Sequence, residues 1–502
     1  MKSNAPSHSI SNQQVRISID DIFVQAQQCM ASGEWEKGMF WFQQGLQQAH
    51  QSAGGWHNLG VCLFALGRAK EAIESCARAL SLNAGMWQSR LVMGRAYKLL
   101  ADPVSADLQL EAVLASNPNN GQALVDRADL MLNVFGQPLL ASQMVESLLQ
   151  SPEYSQDAQL TQLMAGLYDR DVSAEIHNQK IINFSRQSLC FSEEEKSLHP
   201  WTLLARPHEK ILPFHPQWQP IAGRKRPKVG LISPLFHASP VYFLTIASWI
   251  KVAKRCDIVI FNRGHTNNWA TDEFKKIAVE WQDVQEMDSL KLANQIWESQ
   301  LDVLYDLGGW MDPIALKALS VKPARHLFKW VGGQSVTTGL DSVDGWIGDE
   351  WQSPISSQHL YTEPLINIDG GYASYTPPSY LPKPSITKRN EPVIFSNPAK
   401  LSRAFMSYLK TIPGKKCFVH QQFKYERTKA HVLSFLDDSE AEFICPTSHK
   451  DALTLLGQHR VMLDTFPYSS GLTAREAMAM GVEVKGRSGV LFCERHTFSL
   501  NF

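Results

Sequence analysis

The chain has 502 residues, of which 44% are hydrophobic and 19% charged, a composition typical of globular proteins. Its 48 basic and 49 acidic side chains give a formal charge of −1, so nothing favours a nucleic-acid partner. No apolar run approaches the roughly 20 residues of a membrane span. Residues 1–18 are polar and lack the apolar core of a secretory signal. We therefore expect a disordered leader and a cytoplasmic protein.

The eight cysteines are scattered, with no C-x-x-C pair and no zinc-ligand spacing. This pattern predicts reduced core residues and no metal site. The length suggests roughly two to four domains.

A regular spacing of small residues marks the N-terminal part of the chain. Ala26, Gly60, Gly94 and Ala128 follow one another at intervals of 34 residues, the period of tetratricopeptide repeats. In the first three units another small residue lies twelve positions later, where it would let two antiparallel helices approach closely. The spacing predicts about four repeats over residues 19–155.

Stacked repeats form a superhelix whose concave face can bind another protein. We therefore predict that the groove recruits a protein acceptor or partner. The alternative is that the repeats dimerise the protein or brace the domain that follows.

The sequence pattern changes after the repeats. Residues 156–223 remain helical in pattern and are predicted to form a connector. From residue 224, runs typical of strands (KVGLISP, CDIVIFN, LDVLYDLGG) alternate with helical stretches, which predicts a parallel, doubly wound sheet. A second such series follows the proline-rich stretch YTPPSYLPKPS. We expect two Rossmann-like lobes, residues 224–380 and 381–502, with a ligand site at the carboxyl ends of their strands.

Three segments of these lobes resemble a known family. The chain has no G-x-G-x-x-G, P-loop or G-x-S-x-G motif, which argues against a dehydrogenase, a P-loop ATPase or an α/β-hydrolase. The segments FSNPAKLS (395–402), LDTFPYSSGLTAREAMAMGVEV (463–484) and 308–354, which includes KWVGGQSVTTGLDSVDGW, resemble the O-linked N-acetylglucosamine transferases and their SPINDLY-like relatives. The resemblance covers nearly the whole chain. It implies an α-helical tetratricopeptide solenoid followed by an α/β GT-B-type double Rossmann glycosyltransferase region.

The resemblance assigns the nucleotide sugar to the second lobe. Asn397 and Lys400 match the family's strand-to-helix loop, where a lysine would stabilise the charge on the departing diphosphate without a metal. Gly471 and Thr473 would open a helix whose N-terminus faces the phosphates. Glu476 matches the acidic position that accepts ribose hydroxyls. On a purely structural interpretation Thr473 and Glu476 form a capping box, and both interpretations can hold.

On the acceptor side, the resemblance implies that Trp330, Gly332, Thr338 and Gly339 line the cleft. Trp310 stands where many relatives carry histidine or tyrosine, and it is alternatively a core residue.

The match fails at several family positions. The family's H-P motif supplies a histidine near the acceptor hydroxyl, but Ser239 stands there in this chain. His237, two residues upstream, is a candidate replacement and alternatively a surface residue. Ala452 replaces a histidine that relatives place near the nucleotide, while His449 keeps a neighbouring family position and is a candidate nucleotide-sugar contact. The sequence also stops where relatives continue for further helices, so either this branch ends short or the module is incomplete.

The resemblance implies an inverting, metal-independent glycosyltransferase that needs no cofactor besides its nucleotide-diphosphate sugar. It would move N-acetylglucosamine or a related sugar to Ser or Thr of a protein recruited by the repeats. Lys400 and His237 are the candidate catalytic residues. The donor is left open among UDP-N-acetylglucosamine, UDP-glucose and GDP-fucose. Two alternatives are a scaffold that binds a nucleotide sugar without turnover and a transferase acting on a glycan or surface polymer.

Overall fold

The computed structural model describes residues 18–197, 213 and 218–497. The predicted leader therefore lies outside the described residues except for Ser18, whose hydroxyl accepts a hydrogen bond from Asp21 N and caps the first helix. In the described part of the chain, no helix has both the length and the apolarity that crossing a membrane requires. All eight cysteines are free thiols. The expectation that all lie in the core is wrong for Cys445, which is exposed just after a strand end.

Six helices of 13 or 14 residues make up the first compact unit, which ends at Leu130 within a seventh helix. They are α1 (Ile19–Ala31), α2 (Trp35–Gln48), α3 (Ala53–Ala65), α4 (Ala69–Leu82), α5 (Trp87–Leu99) and α6 (Pro103–Ser116). From α1 to α6, each helix packs against the next one in the chain, as expected of stacked helical hairpins.

The small residues pack helix against helix inside each repeat. A Cβ added at Gly60 would lie 3.3 Å from the carbonyl oxygen of Ala72 and would crowd the Cys76 thiol. In the next repeat, a Cβ added at Gly94 would lie 3.5 Å from the carbonyl oxygen of Ala106. The residues at intervals of 34 thus meet the small residues that follow them by twelve positions.

The turn inside each hairpin repeats with the same period. Gly33, Gly67 and Ala101 lie 34 residues apart and have φ angles of 72°, 73° and 55°. This left-handed conformation ends the first helix of a hairpin, and glycine adopts it without strain. The third repeat places alanine there instead.

Among the described residues, five helices lie between α6 and the α/β region: α7 (Gly121–Asn133), α8 (Pro138–Met144), α9 (Ser155–Gly166), α10 (Ala174–Ser188) and α11 (Glu193–Ser197). The second compact unit begins at Met131, inside α7. Its helical part contacts both α/β lobes. The Ser185 hydroxyl donates to the carbonyl oxygen of Thr338 in the first lobe at 2.6 Å. The Asp169 carboxylate accepts from the guanidinium and backbone N–H of Arg403 in the second lobe.

The first lobe is built on a parallel seven-stranded sheet with the order β3-β2-β1-β4-β5-β6-β7. Its strands are β1 (Lys228–Ser233), β2 (Asp257–Asn262), β3 (Glu280–Asp283), β4 (Val303–Asp306), β5 (His326–Lys329), β6 (Gly345–Gly348) and β7 (Leu365–Asn367). Between them lie α12 (Pro240–Ala253), α13 (Trp269–Ile277), α14 (Ser289–Glu298) and α15 (Pro313–Leu319). The sequence pattern predicted β1, β2 and β4. It did not predict the others: β3 is largely polar, and β5, β6 and β7 are short and follow one another without an intervening α-helix.

The second lobe has a parallel five-stranded sheet with the order β10-β9-β8-β11-β12. The strands are β8 (Val393–Ile394), β9 (Lys416–Val419), β10 (Ala441–Ile444), β11 (Val461–Leu463) and β12 (Glu483–Lys485). The helices are α16 (Arg403–Lys410), α17 (Glu426–Leu433), α18 (His449–Leu456) and α19 (Leu472–Ala479). Alternate strand residues enter separate hydrophobic clusters, Ile394 and Phe418 in one and Val393 and Cys417 in the other, so the sheet is covered on both faces.

Helical repeats followed by two parallel sheets confirm the predicted fold class.

Candidate functional site

Two loops meet at the topological switch point of the second sheet. The order β10-β9-β8-β11-β12 reverses between β8 and β11, and crevices for ligands form outside the carboxyl ends of strands at such points. The loop after β8 carries FSNPAKLS, and the loop after β11 carries DTFPYSSG. The hydroxyls of Ser396 and Ser470 lie 3.2 Å apart, and the Ser402 hydroxyl donates to the carbonyl oxygen of Phe466 at 2.6 Å. The structure therefore brings the two nucleotide motifs together.

Lys400 reaches from the first loop into the second. Its Nζ donates to the carbonyl oxygen of Ser469 at 2.9 Å and lies 4.5 Å from the centre of the Tyr468 ring. Burial lowers the pKa of the Lys400 ammonium, and the negative charge of Asp464 acts in the opposite direction. An ammonium removed from water interacts more strongly with an anion than a solvated one does. This lysine is therefore suited to holding a phosphate.

Asn397 shapes the turn that presents Lys400. Its side-chain oxygen accepts from the backbone N–H of Ala399 at 2.9 Å and caps the short 3-10 turn Pro398–Lys400. The structure thus gives Asn397 a local structural contact beside its predicted nucleotide contact.

Helix α19 begins directly after the second loop. Its N-cap is Gly471, which has no side chain to cap the helix, and Thr473 lies partly exposed in the first turn. The capping box predicted for Thr473 and Glu476 is wrong, because the helix starts two residues earlier and Glu476 bonds elsewhere. The first amides of α19 therefore receive no side-chain cap, an arrangement that suits an anionic ligand.

Glu476 and His449 form a hydrogen-bonded pair. Nε2 of His449 lies 2.8 Å from Oε1 of Glu476, and Nδ1 of His449 lies 2.9 Å from the hydroxyl of Tyr380. Burial raises the pKa of the Glu476 carboxyl, and the hydrogen bond from His449 partly offsets that effect. Tyr380 lies in the segment between the two sheets, so this chain of contacts joins the second lobe to the joint. The structure thus brings together two of the residues predicted for the nucleotide.

Three of the four residues predicted for the acceptor side are buried in the first lobe, and Gly332 is partly exposed. Trp330 is 7% exposed and donates through Nε1 to the carbonyl oxygen of Tyr372 at 2.8 Å. Thr338 is 1% exposed and donates to Oε1 of Glu363. Gly332 has a φ of 51° and packs on the backbone of the loop that follows β4. Gly339 packs against α10. All four belong to the loop after β5, so any influence on an acceptor acts through the conformation of that loop.

Trp310 is also a core residue, as the structural alternative proposed. It is 6% exposed, and its Nε1 donates to the carbonyl oxygen of Thr337 at 3.0 Å.

His237 and Ser239 occupy the loop between β1 and α12. Ser239 is 5% exposed and serves as the N-cap of α12, accepting from Val241 N and donating to the carbonyl oxygen of Leu235 at 2.8 Å. Ser239 therefore caps a helix, whereas the family histidine at this position is placed near the acceptor hydroxyl. His237 is partly buried, and this burial lowers the pKa of its imidazole.

Tyr468 is the residue at this site that the sequence analysis did not identify. It lies in the quoted motif, next to Ser469, and its hydroxyl is 2.8 Å from that of Ser335 in the first lobe. In the sequence, its signal was an aromatic residue directly before Ser469, whose carbonyl oxygen accepts the hydrogen bond from Lys400. Its place beside Lys400 and Ser335 is visible only from the contacts in the structure.

A cavity of about 720 Å³ lies beside this region, between α8 and the helices α16 and α17. Its lining includes Leu401 and Arg403 but none of the residues predicted to bind the nucleotide. The switch point remains the candidate site because a lysine, an uncapped helix start and a buried carboxylate converge there. In the described part of the chain, no group of three or more His, Cys, Asp or Glu side chains is placed to hold a metal ion.

Fold and site together define the class: tetratricopeptide repeats joined to a double Rossmann region of the GT-B type. The tetratricopeptide repeat family matches residues 53–85. The predicted resemblance to O-linked N-acetylglucosamine transferases and SPINDLY-like proteins is confirmed by comparison with known proteins.

Two plant proteins illustrate the sequence similarity. The chain is 24% identical over 299 residues to the probable UDP-N-acetylglucosamine-peptide N-acetylglucosaminyltransferase SPINDLY of Solanum lycopersicum, covering 54% of this chain and 32% of that protein. It is 26% identical over 298 residues to the protein of the same name from Arabidopsis thaliana, covering 54% and 32%. The chain thus spans about a third of the length of these relatives.

A solved structure supports the fold. A mutant of the O-GlcNAc transferase of Thermobaculum terrenum aligns with 96% of this chain and 84% of its own, at a TM-score of 0.61 and 19% identity.

Proposed function

We propose that the protein is a glycosyltransferase that moves a sugar from a nucleoside-diphosphate sugar to a Ser or Thr hydroxyl of a protein. The observation that carries this proposal is the Lys400 ammonium at the switch point, which donates to the carbonyl oxygen of Ser469, two residues before the uncapped N-cap of α19. UDP-N-acetylglucosamine is the first donor to test, because the plant relatives are named for it. UDP-glucose and GDP-fucose are the other candidates.

Transfer would proceed with inversion. The acceptor oxygen attacks the anomeric carbon from the face opposite the diphosphate, and the bond from that carbon to the diphosphate oxygen breaks as the new bond forms. Negative charge then grows on the departing diphosphate. Lys400 and the first amides of α19 would stabilise this charge, which is the work a metal ion performs in other transferases. On this basis we propose a metal-independent reaction.

The proton of the acceptor hydroxyl has to leave as the new bond forms. His237 is the candidate to accept it and pass it to solvent. Because burial lowers the pKa of His237, its imidazole is neutral near pH 7 and able to accept a proton. In place of the family histidine, Ser239 caps α12.

The nucleotide would contact Asn397, Gly471 and Thr473 through its phosphates. Glu476 would accept ribose hydroxyls through the oxygen that His449 does not occupy. The protein acceptor would bind in the groove of the repeats, as the match to the tetratricopeptide repeat family supports.

The test uses the purified full chain with each of the three donors. Thermal shift reports binding, and release of free nucleotide in the presence of a cell lysate as acceptor source reports transfer. Lys400→Ala should lose nucleotide release by about a hundredfold or more, the size expected for one transition-state contact to charge. Lys410→Ala is the matched control, because that exposed lysine lies at the far end of α16.

Three outcomes are informative. Release that depends on Lys400 supports the proposal and names the donor. Stabilisation without release contradicts transfer and favours a nucleotide-binding scaffold. No response to any donor contradicts the nucleotide site itself.

A further inference from the structure

An aromatic stack connects the helical connector to Lys400. The rings of Tyr168 and Tyr468 lie with their centres 5.1 Å apart and their planes at 19°, a stacked arrangement. Tyr168 follows the end of α9, whereas Tyr468 belongs to the loop after β11. The same Tyr468 ring lies 4.5 Å from Nζ of Lys400. The connector therefore reaches the proposed diphosphate site through one intervening ring.

Two ion pairs fix the segment that carries Tyr168. The neighbouring Asp169 accepts from the Arg403 side chain at 2.9 Å and from its backbone N–H at 2.8 Å. Arg170 forms an ion pair with Glu494, a carboxylate that is 2% exposed. Both partners belong to the second lobe, so the two residues that directly follow Tyr168 are tied to that lobe.

Tyr468 in turn contacts the first lobe, since its hydroxyl lies 2.8 Å from that of Ser335. Ser335 follows the glycine pair of the loop after β5, and its carbonyl oxygen accepts from Cys493 N at 2.8 Å. Three parts of the second compact unit thus converge on Tyr468: the connector, the first lobe and the lysine loop.

We propose that Tyr168 is a positioning residue of the transfer site. Through its stack with Tyr468 it holds the Lys400 ammonium in the low-dielectric position where the diphosphate is to lie. The connector therefore completes the nucleotide site, which the two Rossmann lobes alone would leave with a displaced lysine. What Lys400 does there rests on the proposed function, whereas its restraint by Tyr168 does not.

The first experiment measures this restraint without any nucleotide. The full chain is treated with a limiting amine-acetylating reagent, and peptide mass spectrometry gives the labelling rate of Lys400 relative to that of exposed Lys410. In Tyr168→Leu we expect this ratio to rise at least about threefold, because loss of the ring frees Tyr468 and opens Lys400 to the reagent, which outweighs the smaller neutral fraction of a better-solvated amine. Tyr168→Phe keeps the ring and should match the wild type. An unchanged ratio in Tyr168→Leu overturns the proposal.

The second experiment measures kcat and KM for the donor in the same variants. Tyr168→Leu should lower kcat by roughly twofold to tenfold, the range of one aromatic contact, with a smaller change in KM. Tyr168→Phe should restore kcat. Tyr97→Leu, the same change within α5, controls for a general loss of packing. An equal fall in kcat for both leucine variants overturns the positioning role.

The two proposals fail in different ways. If the wild type releases no nucleotide, the proposed function fails, and the labelling ratio still decides whether Tyr168 restrains Lys400. If the wild type is active and Tyr168→Leu behaves like it in both experiments, only the positioning role is wrong.

Discussion

Nε2 of His449 lies 2.8 Å from Oε1 of Glu476, a carboxylate of which only 2% is exposed. A buried carboxylate is costly unless hydrogen bonds compensate it. Here the compensation comes from the first residue of α18, a helix that contacts α19. The same hydrogen bond therefore stabilises the fold and holds the carboxylate that is proposed to bind the ribose.

Removing either partner should therefore have unequal effects on stability. His449→Ala leaves the buried carboxylate without this hydrogen bond and should lower the free energy of unfolding by about 1–3 kcal/mol. Glu476→Gln keeps a polar group of the same shape and should cost about 1 kcal/mol or less. Urea titration at pH 7, followed by tryptophan fluorescence, would measure both. Equal losses would show that the pair does not carry this energy.

Glu476→Gln should also weaken donor binding more than it weakens the fold. A carboxylate accepts stronger hydrogen bonds from ribose hydroxyls than an amide does. We expect the dissociation constant for the nucleotide to rise by about tenfold, measured by calorimetric titration. An unaltered constant would remove Glu476 from the nucleotide site.

Substitution of Ser239 should lower stability, whereas substitution of His237 should lower activity. Ser239→Ala removes the cap of α12 and should cost about 1 kcal/mol of stability while leaving His237 in place. His237→Ala should leave stability nearly unchanged and lower kcat, because the group that accepts the proton is lost. Thermal unfolding and initial rates would separate the two effects.

The pH dependence of transfer follows from the same histidine. Burial lowers the pKa of His237, so its neutral form persists below pH 6.5, the ordinary value for imidazole. Activity should hold from neutral pH down to that range and fall only as His237 becomes protonated. A profile of kcat against pH that already falls above pH 7 would contradict this assignment.

His177 should make the fold sensitive to acid. It is 4% exposed, its Nε2 contacts the carbonyl oxygen of Leu163 at 3.0 Å, and burial together with the charge of Arg170 lowers its pKa to about 4. A depressed histidine pKa contributes stability above the unfolded value near 6.5 that is lost as the pH falls toward 4. Lowering the pH from about 7.5 to about 5 should cost roughly 2 kcal/mol through this group.

Urea titration at the two pH values would measure this cost. His177→Gln cannot titrate and should flatten the dependence, whereas His50→Gln, at an exposed position of the repeats, should not. An identical pH dependence in all three proteins would exclude His177 as the source.

The turn inside each helical hairpin allows two substitutions with opposite expected effects on stability. Ala101 has a φ of 55° where the two preceding repeats have glycine. Ala101→Gly relieves that strain and should stabilise the repeats by about 0.5–1 kcal/mol, whereas Gly67→Ala introduces it and should cost about 1 kcal/mol. Circular dichroism during thermal unfolding would show shifts of opposite sign. Shifts of the same sign would indicate that the turn conformation is not the cause.

Local patterns were enough to predict much of the architecture. The interval of 34 residues gave the helical hairpins because each repeat satisfies the same packing requirement, small residue against small residue. Alternating strands and helices gave both sheets in outline, and the motif loops fell at strand ends, where the parallel topology brings them together. Lys400, Gly471 and Glu476 were named as candidates through the family resemblance, and they lie in or directly after these loops.

The capping box failed because a helix start depends on the backbone of the preceding loop, and Gly471 rather than Thr473 begins α19. The sequence also predicted a lining role for Trp330, whose actual partners are Tyr372 and Trp249 in the core. Burial of this kind is set by which surfaces come together, and a motif does not record it.

The sequence by itself determined the repeats, the two Rossmann lobes and the loops that carry the candidate residues, because periodicity and strand-to-helix order are properties of neighbouring residues. Only the tertiary structure decided that Tyr168 stacks on Tyr468, that Tyr468 lies beside Lys400, and that His449 compensates Glu476. These contacts join residues far apart in the chain. They depend on how the connector and the two lobes pack, which no local pattern encodes.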